Sequence, residues 1–91
     1  MLKRMHVIIS GHVQGIFFRT FIKENAQQLD IKGYVKNLPA GEVEAVFEGQ
    51  KENIEKMVLV CKKGHKLASI EKIDIKEEKP TKEFSGFAII R

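Results

Sequence analysis

The stretch Gly11-His12-Val13-Gln14-Gly15-Ile16-Phe17-Phe18-Arg19 joins two segments whose apolar residues repeat with different periods. Residues 5–10 before it are mostly apolar and predict a strand, whereas residues 18–29 after it carry apolar side chains at helical spacing. Two glycines and Arg19 therefore stand at a strand-to-helix turn. Such a turn offers free N–H groups and the positive end of a helix dipole, and a guanidinium suits phosphate oxygens. The sequence predicts a phosphate-sized site here, without metal ligands in the motif.

Length and composition restrict the class of protein. Ninety-one residues suffice for one modest core, so we expect a single domain over residues 1–91. The chain is 43% hydrophobic and 31% charged, which is typical of soluble globular proteins. It lacks an apolar run of about 18 residues that could span a membrane, and its start is typical of a first strand rather than of a signal peptide. A cytoplasmic location is expected, with Cys61 as a buried structural thiol.

The net charge of +4 suits acidic small molecules and also leaves nucleic acid open as a partner. The basic residues alternate with glutamates along the chain, for example in residues 76–79. Interleaved charges of this kind are typical of a solvated surface rather than of a basic binding patch.

The hydrophobic periods predict seven elements. Alternating or short apolar runs predict strands at residues 5–10, 31–37, 42–48, 69–76 and 84–90, and helical stripes predict helices at residues 18–29 and 52–63. Pro39 and Gly41 favour a tight turn that makes a hairpin of the second and third strands. The order favours an α+β, ferredoxin-like split βαβ sandwich (β-α-β-β-α-β with a short C-terminal strand), in which two helices cover one face of an antiparallel sheet. Ile70 is out of phase in the fourth strand, which indicates a bulge.

Two stretches resemble the sequence patterns of the acylphosphatase family. Residues 11–19 resemble the family's G-x-V-Q-G-V-x-F-R loop, with Ile16 in place of the usual valine. Residues Gly33-Tyr34-Val35-Lys36-Asn37-Leu38-Pro39-Ala40-Gly41-Glu42-Val43, continuing to Gly49, meet every defining position of the second pattern. Two long patterns in the right order are far more specific than a lone glycine-rich loop.

The resemblance implies a small hydrolase that cleaves acyl phosphates to a carboxylate and inorganic phosphate without a metal or an organic cofactor. It implies that Arg19 binds the phosphate and that Asn37 holds the attacking water. The phosphate-binding loop would present backbone N–H groups from Gln14, Gly15, Ile16, Phe17 and Phe18. We expect the first two helix-linked strands to lie side by side, so that their ends face one cleft.

The implied reaction needs little acid–base catalysis from the protein. The leaving carboxylate has a conjugate acid of pKa about 4, so no strong general acid is needed, and phosphoryl transfer depends mostly on positioning and charge stabilisation. Asn37 can accept a hydrogen bond from water but is too weak a base to remove a proton, and a substrate phosphate oxygen is the expected acceptor. No Ser, Cys or His forms a convincing nucleophile–base pair, which predicts direct attack by water.

Simpler interpretations exist for each residue. Arg19 could be a helix-start arginine paired with Glu24, and Asn37 could only serve the following turn. The side chain of Gln14 could be solvated, with only its backbone in the loop. Phe17 and Phe18 are expected to be anchors of the core or loop rather than groups that stack on substrate.

The three histidines have no metal-ligand spacing, so no metal site is expected. His12, beside the loop, could tune the anion site, although a solvated histidine is the expected state.

Other functions fit the same fold, because fold alone does not determine activity. One alternative is a non-catalytic phosphate- or RNA-binding module, although the chain lacks the K/R-G-F/Y-G/A-F-V-x-F/Y segment of RNA binders. Another is the acylphosphatase-like unit of larger hydrogenase-maturation proteins. We expect a free-standing enzyme, a monomer by default, whose partner is a small acyl phosphate rather than a nucleic acid or a membrane.

Overall fold

The computed structural model describes residues 1–90 of the 91-residue chain. Its elements are β1 (Leu2–His12), α1 (Phe18–Gln28), β2 (Lys32–Asn37), β3 (Val43–Gln50), α2 (Lys51–Lys63), β4 (Ser69–Glu78) and β5 (Phe87–Ile90). Both helices share one hydrophobic core with a five-stranded sheet. The predicted α+β split βαβ sandwich is confirmed, with small differences at the ends of the elements.

The strands lie in the order β4-β1-β3-β2-β5. The predicted hairpin of β2 and β3 is present, and β3 also pairs antiparallel with β1. The expectation that β1 and β2 lie side by side is therefore wrong. β3 takes the place between them because it can complete an antiparallel ladder on each side. β1 and β2 still run in the same direction, so both end at the same edge of the sheet.

The predicted antiparallel pairing is confirmed for β1 to β4 but is wrong for the short C-terminal strand β5, which pairs parallel with β2. The C-terminal end of β4 lies at the same end of the sheet as the N-terminal end of β2. Residues 79–86 cross the sheet at that end, so β5 starts there and runs in the same direction as β2. The last strand also begins later than predicted, because Phe84 belongs to this connection and its ring packs 6.0 Å from the ring of Tyr34.

The connection of residues 79–86 is held to the sheet by a buried carboxylate. Glu48 is only 4% exposed, and its side chain accepts the backbone N–H groups of Thr81 at 3.0 Å and Lys82 at 2.8 Å. The guanidinium of Arg4 lies 3.7 Å from the same carboxylate. These contacts satisfy the buried charge, and the connection covers part of the sheet face that the helices leave open.

The core lies between the helices and the sheet. Its side chains come from alternate strand positions and from one stripe of each helix, and they include Val7, Ile9, Val35, Ala45 and Phe47 of the sheet, Phe18, Ile22 and Ala26 of α1, and Ile54, Met57 and Cys61 of α2. The prediction that Cys61 is buried is confirmed, and burial raises the pKa of its thiol to about 12. Cys61 is therefore a packing residue with almost no thiolate at neutral pH.

The end of β1 is shaped by a bulge in β4. The register slips by one residue between Ser10 and Gly11, which leaves Glu71 as the extra residue of β4. This confirms the predicted irregularity in that strand. Gly11 has φ 129°, and a Cβ atom there would overlap the carbonyl oxygen of Ser69. A side chain is therefore excluded at the point where β1 turns toward the following loop.

Candidate active site

The loop between β1 and α1, residues 13–17, is called the site loop below, and two left-handed residues shape it. Gly15 has φ 74° and Phe17 has φ 62°, a conformation that is uncommon for a bulky residue. Phe17 is the N-cap of α1 and makes no side-chain capping hydrogen bond. Within residues 1–90, no acceptor pairs with the backbone N–H groups of Gly15, Ile16 or Phe17. The loop thus leaves donors unpaired at the positive end of a helix, as an anion site requires.

Arg19 lies in the first turn of α1, directly after the site loop. A cation at this end of a helix interacts unfavourably with the helix dipole, and no acidic residue in the first turn compensates for it. The alternative ion pair with Glu24 is not formed, and no carboxylate of residues 1–90 pairs with the guanidinium. Arg19 is instead directed to the cleft beside the loop, where an anion would relieve the unfavourable charge.

Asn37 is the last residue of β2, at the edge of the sheet where β1 also ends. Its side-chain Oδ1 is buried and has no hydrogen-bond partner among residues 1–90. A buried acceptor without a partner costs about 1–3 kcal/mol, so such atoms in native proteins usually face a water or a ligand. Asn37 lines the same cleft as Arg19. Its side chain thus lies at the wall of the cleft and carries an oxygen without a partner, which solvent does not reach in this conformation.

Gln14 ties the site loop to the β2–β3 turn. Its Nε2 donates to the carbonyl oxygens of Leu38 and Glu42, both at 2.9 Å. The interpretation of Gln14 as a solvated loop residue is wrong, because its amide reaches both sides of the turn that follows Asn37. The hydrogen bonds fix the loop, and with it the start of α1, relative to the end of β2.

A cleft of about 370 Å³ lies between these elements. Its lining includes five of the predicted site residues, which are Gly15, Phe17, Phe18, Arg19 and Asn37. Gln14 and Ile16 do not line it, since Gln14 braces the turn and Ile16 packs against the core. The structure thus brings the predicted arginine and asparagine to one concave site, of the size that small ligands occupy.

Sequence reasoning missed three residues of the cleft: Val13, Thr20 and Ile89. Val13 and Thr20 flank the predicted residues, so extending the site by one position in each direction would have found them. Ile89 lies in β5, opposite Val35 of β2. Because the parallel pairing of β5 had no signal in the sequence, no pattern could have placed Ile89 at the site.

Phe17 at the end of the site loop and Phe18 at the start of α1 differ in burial. Phe18 is 1% exposed and packs in the core, which confirms the anchor interpretation. Phe17 is 81% exposed, so the same interpretation is wrong for it. The left-handed backbone at Phe17 turns its side chain away from the core.

The histidines lie away from the cleft. His12 is exposed at the end of β1, and His6 Nε2 lies 3.0 Å from a carboxylate oxygen of Glu44 on the open sheet face. Burial acts to raise the pKa of Glu44, but hydrogen bonds from His6 and Tyr34 and the charge of Lys36 outweigh it and lower this pKa. Within residues 1–90, no three His, Cys, Asp or Glu side chains come together as a metal site would require.

Comparison with known proteins identifies the family. A sequence model described as acylphosphatase matches residues 5–89, a span that includes the site loop, Arg19 and Asn37. The chain belongs to the acylphosphatase family. Acylphosphatases act on small acyl phosphates, and the resemblance drawn from the two sequence patterns is confirmed. The alternative of a non-catalytic binding module is not favoured.

Individual acylphosphatases match along nearly their whole length. The curated acylphosphatase of Roseiflexus sp. (strain RS-1) is 46% identical over 89 residues, which cover 98% of this chain and 96% of the relative. A crystal structure of acylphosphatase from Bacillus subtilis superposes with a TM-score of 0.93 at 30% identity, with full coverage of both chains. These matches support an acylphosphatase enzyme with the ferredoxin-like fold.

The same fold also occurs inside a larger protein. Full-length HypF, whose crystal structure is described as phosphate- and nucleotide-bound, matches with a TM-score of 0.88 at 28% identity. The match covers all of this chain but only 12% of HypF. Among the helices of residues 1–90, none has the length and apolar character needed to cross a membrane.

Proposed function

We propose that this acylphosphatase cleaves the carboxyl-phosphate bond by direct attack of water on phosphorus, without a metal or an organic cofactor, in the cleft lined by Arg19 and Asn37. The observation that carries the proposal is a cleft lined both by Asn37, whose side-chain Oδ1 has no partner, and by an arginine without an ion-pair partner among residues 1–90. One group can orient a neutral nucleophile and the other can bind the anion that it attacks.

Arg19 and the site loop would hold the phosphoryl group. The guanidinium forms paired hydrogen bonds to phosphate oxygens, and the loop N–H groups from Gly15 to Phe18 add donors at the positive end of α1. Gln14, through its bonds to the turn, and Ile16, through the core, would keep this loop in shape. Donors fixed before the substrate arrives stabilise the charge that develops on the phosphoryl oxygens.

Asn37 would hold the attacking water. Its Oδ1, buried without a partner in this structure, would turn toward the cleft to accept one water hydrogen. That hydrogen bond leaves a lone pair of the water oxygen aimed at phosphorus. As the new P–O bond forms, the bond from phosphorus to the carboxyl oxygen breaks and the carboxylate leaves with the electron pair. The water proton passes to a phosphate oxygen of the substrate, because an amide is too weak a base to take it.

The chemistry of the cleft also supports attack by water rather than by a side chain. The only hydroxyl among its lining side chains in residues 1–90 belongs to Thr20, and no imidazole or carboxylate is among them. A hydroxyl needs such a partner to become a good nucleophile. We therefore expect no phosphorylated enzyme intermediate.

The domain content, oligomeric state, location and partners of the protein can also be inferred from its sequence and fold. We infer one domain over residues 1–91 that works as a monomer in the cytoplasm, where the single Cys61 stays reduced. We also propose that nucleic acid is not a partner. Related folds bind RNA through aromatic residues on an open sheet, whereas the ring of Tyr34 here packs against Phe84 of the crossing connection.

The test is release of phosphate from benzoyl phosphate by the purified protein with excess chelator. Arg19→Ala should raise KM and lower kcat, because it removes binding and charge stabilisation, whereas Asn37→Ala should lower kcat with inorganic phosphate still bound as a competitive inhibitor. Lys23→Ala, one turn further along α1, and Asn53→Ala in α2 serve as matched controls and should keep wild-type kinetics. Wild-type kinetics in both site variants would overturn the assignment of the site, and activity lost with chelator would overturn the metal-free mechanism.

A further inference from the structure

The side chain of Phe17 does not belong to the hydrophobic core. It is 81% exposed, the largest exposed fraction after Met1 among the large hydrophobic side chains of residues 1–90. Its ring makes no aromatic contact within residues 1–90, whereas Phe18 and Phe21 stack on each other with centroids 5.9 Å apart. Its backbone is left-handed, a conformation that asparagine or glycine would adopt more easily. Stability of the fold therefore does not explain a phenylalanine at this position.

The position of Phe17 relates it to the substrate. It lines the cleft together with Arg19 and Asn37, and the lining also includes the apolar side chain of Ile89 in β5. The polar donors of the loop and Arg19 account for the phosphoryl group. The acyl group of a bound acyl phosphate must then extend from the phosphoryl site toward the open side of the cleft, where the exposed ring lies.

We propose that Phe17, with Ile89, forms an apolar subsite for the acyl group and makes this enzyme prefer acyl phosphates with an aromatic or large aliphatic acyl group over acetyl phosphate. The inference rests on the proposed function, because it needs the phosphoryl group bound by Arg19 and the site loop. A phenyl ring offers an apolar surface with few rotatable bonds, which suits contact with a flat acyl group such as benzoyl. Phe17 is thus a specificity-determining residue rather than a catalytic one.

The test compares kcat/KM for benzoyl phosphate with kcat/KM for acetyl phosphate in each variant. Phe17→Asn keeps a residue that tolerates the left-handed backbone but removes the ring, and the benzoyl-to-acetyl ratio should fall about two- to tenfold, the effect of one aromatic contact. The loss should appear mainly as a higher KM for benzoyl phosphate. Phe17→Tyr should restore the ratio, and Ile89→Ala should lower it by a smaller factor.

Leu59→Asn provides the matched control, since Leu59 is 65% exposed on α2 and does not line the cleft. It should keep the wild-type ratio. An unchanged ratio in Phe17→Asn, with both substrates still hydrolysed, would overturn the acyl subsite and leave the proposed function intact. Absence of hydrolysis of either substrate by the wild type would instead overturn the proposed function. If Phe17→Asn does not fold, Phe17→Gly replaces it, since glycine also tolerates the left-handed backbone, and an unchanged ratio there likewise refutes the acyl subsite.

Discussion

Gln14 gives the sharpest test of how the site is assembled. Gln14→Ala removes two hydrogen bonds of 2.9 Å, from Nε2 to the carbonyl oxygens of Leu38 and Glu42. Each such bond contributes a net 0.5–1.5 kcal/mol, roughly, to folding. Both carbonyls keep a second donor, because Leu38 O accepts the N–H of Gly41 and Glu42 O accepts the N–H of Leu38. Neither acceptor is left unpaired. We therefore expect the free energy of unfolding to fall by about 1–2 kcal/mol, the lower part of the range that two such hydrogen bonds could contribute.

The effect on activity should be larger than the effect on stability suggests. Without these two hydrogen bonds, the site loop can move relative to Asn37. A displacement of about 1 Å can lower the rate of hydrolysis on the order of a hundredfold. We expect kcat/KM for benzoyl phosphate to fall about 10- to 100-fold in Gln14→Ala. Urea unfolding measures the first effect and steady-state phosphate release the second. Gln28→Ala, on the exposed side of α1, is the matched control and should change neither.

Gln14→Glu separates the hydrogen bonds from the space that the side chain fills. It keeps the length of the side chain but places a carboxylate, which only accepts hydrogen bonds, opposite two carbonyl oxygens. At neutral pH it should be less stable than Gln14→Ala and at least as impaired in turnover. Wild-type stability and turnover in Gln14→Glu would refute the conclusion that Gln14 aligns the site through its amide donor.

Three further predictions concern the fold around the site. Gly11→Ala should lower stability by about 1–3 kcal/mol in urea unfolding, because its Cβ would overlap the carbonyl oxygen of Ser69; wild-type stability would contradict this packing. Cys61 should resist a thiol reagent at pH 8 until the protein unfolds, since burial raises the pKa of its thiol to about 12; rapid labelling of the native protein would show that the thiol is accessible. The pKa of Glu44 is lowered from 4.5, so its ionised form stabilises the fold above about pH 4.5, and this contribution is lost as the pH falls through the lowered pKa. Glu44→Gln should therefore lose less stability than the wild type between pH 6 and pH 3, approximately, when each is unfolded by urea across that range; equal losses would contradict the assignment.

The residues that act through their own chemistry were predictable from the sequence. Arg19 and Asn37 stand in two patterns specific enough to identify the family, and the structure brings both to one cleft. The roles assigned to them stay predictions until the variants are measured. The helices and most strands were also predictable, because the apolar residues of α1 and α2 repeat at helical spacing and Val43, Ala45 and Phe47 alternate along β3.

The features that depend on contacts distant in sequence were not predictable. The side-chain amide of Gln14 donates to carbonyl groups 24 and 28 residues further along the chain, and the residues next to Gln14 in the sequence do not predict these hydrogen bonds. Alternation along β3 places Glu48 on the open sheet face, yet it is buried because the connection of residues 79–86 covers it. The four residues of β5 are too few to indicate a direction, so the parallel pairing and the contribution of Ile89 could only come from the structure.

Hydrolysis of benzoyl phosphate in ¹⁸O-labelled water tests the central claim most directly, because it reports which atom the water attacks. The cleft, with Asn37 holding water and Arg19 binding the phosphoryl group, predicts that the label enters inorganic phosphate and that the released benzoate remains unlabelled. Label in the benzoate would show that water attacks the carbonyl carbon, and it would contradict the mechanism assigned to this site.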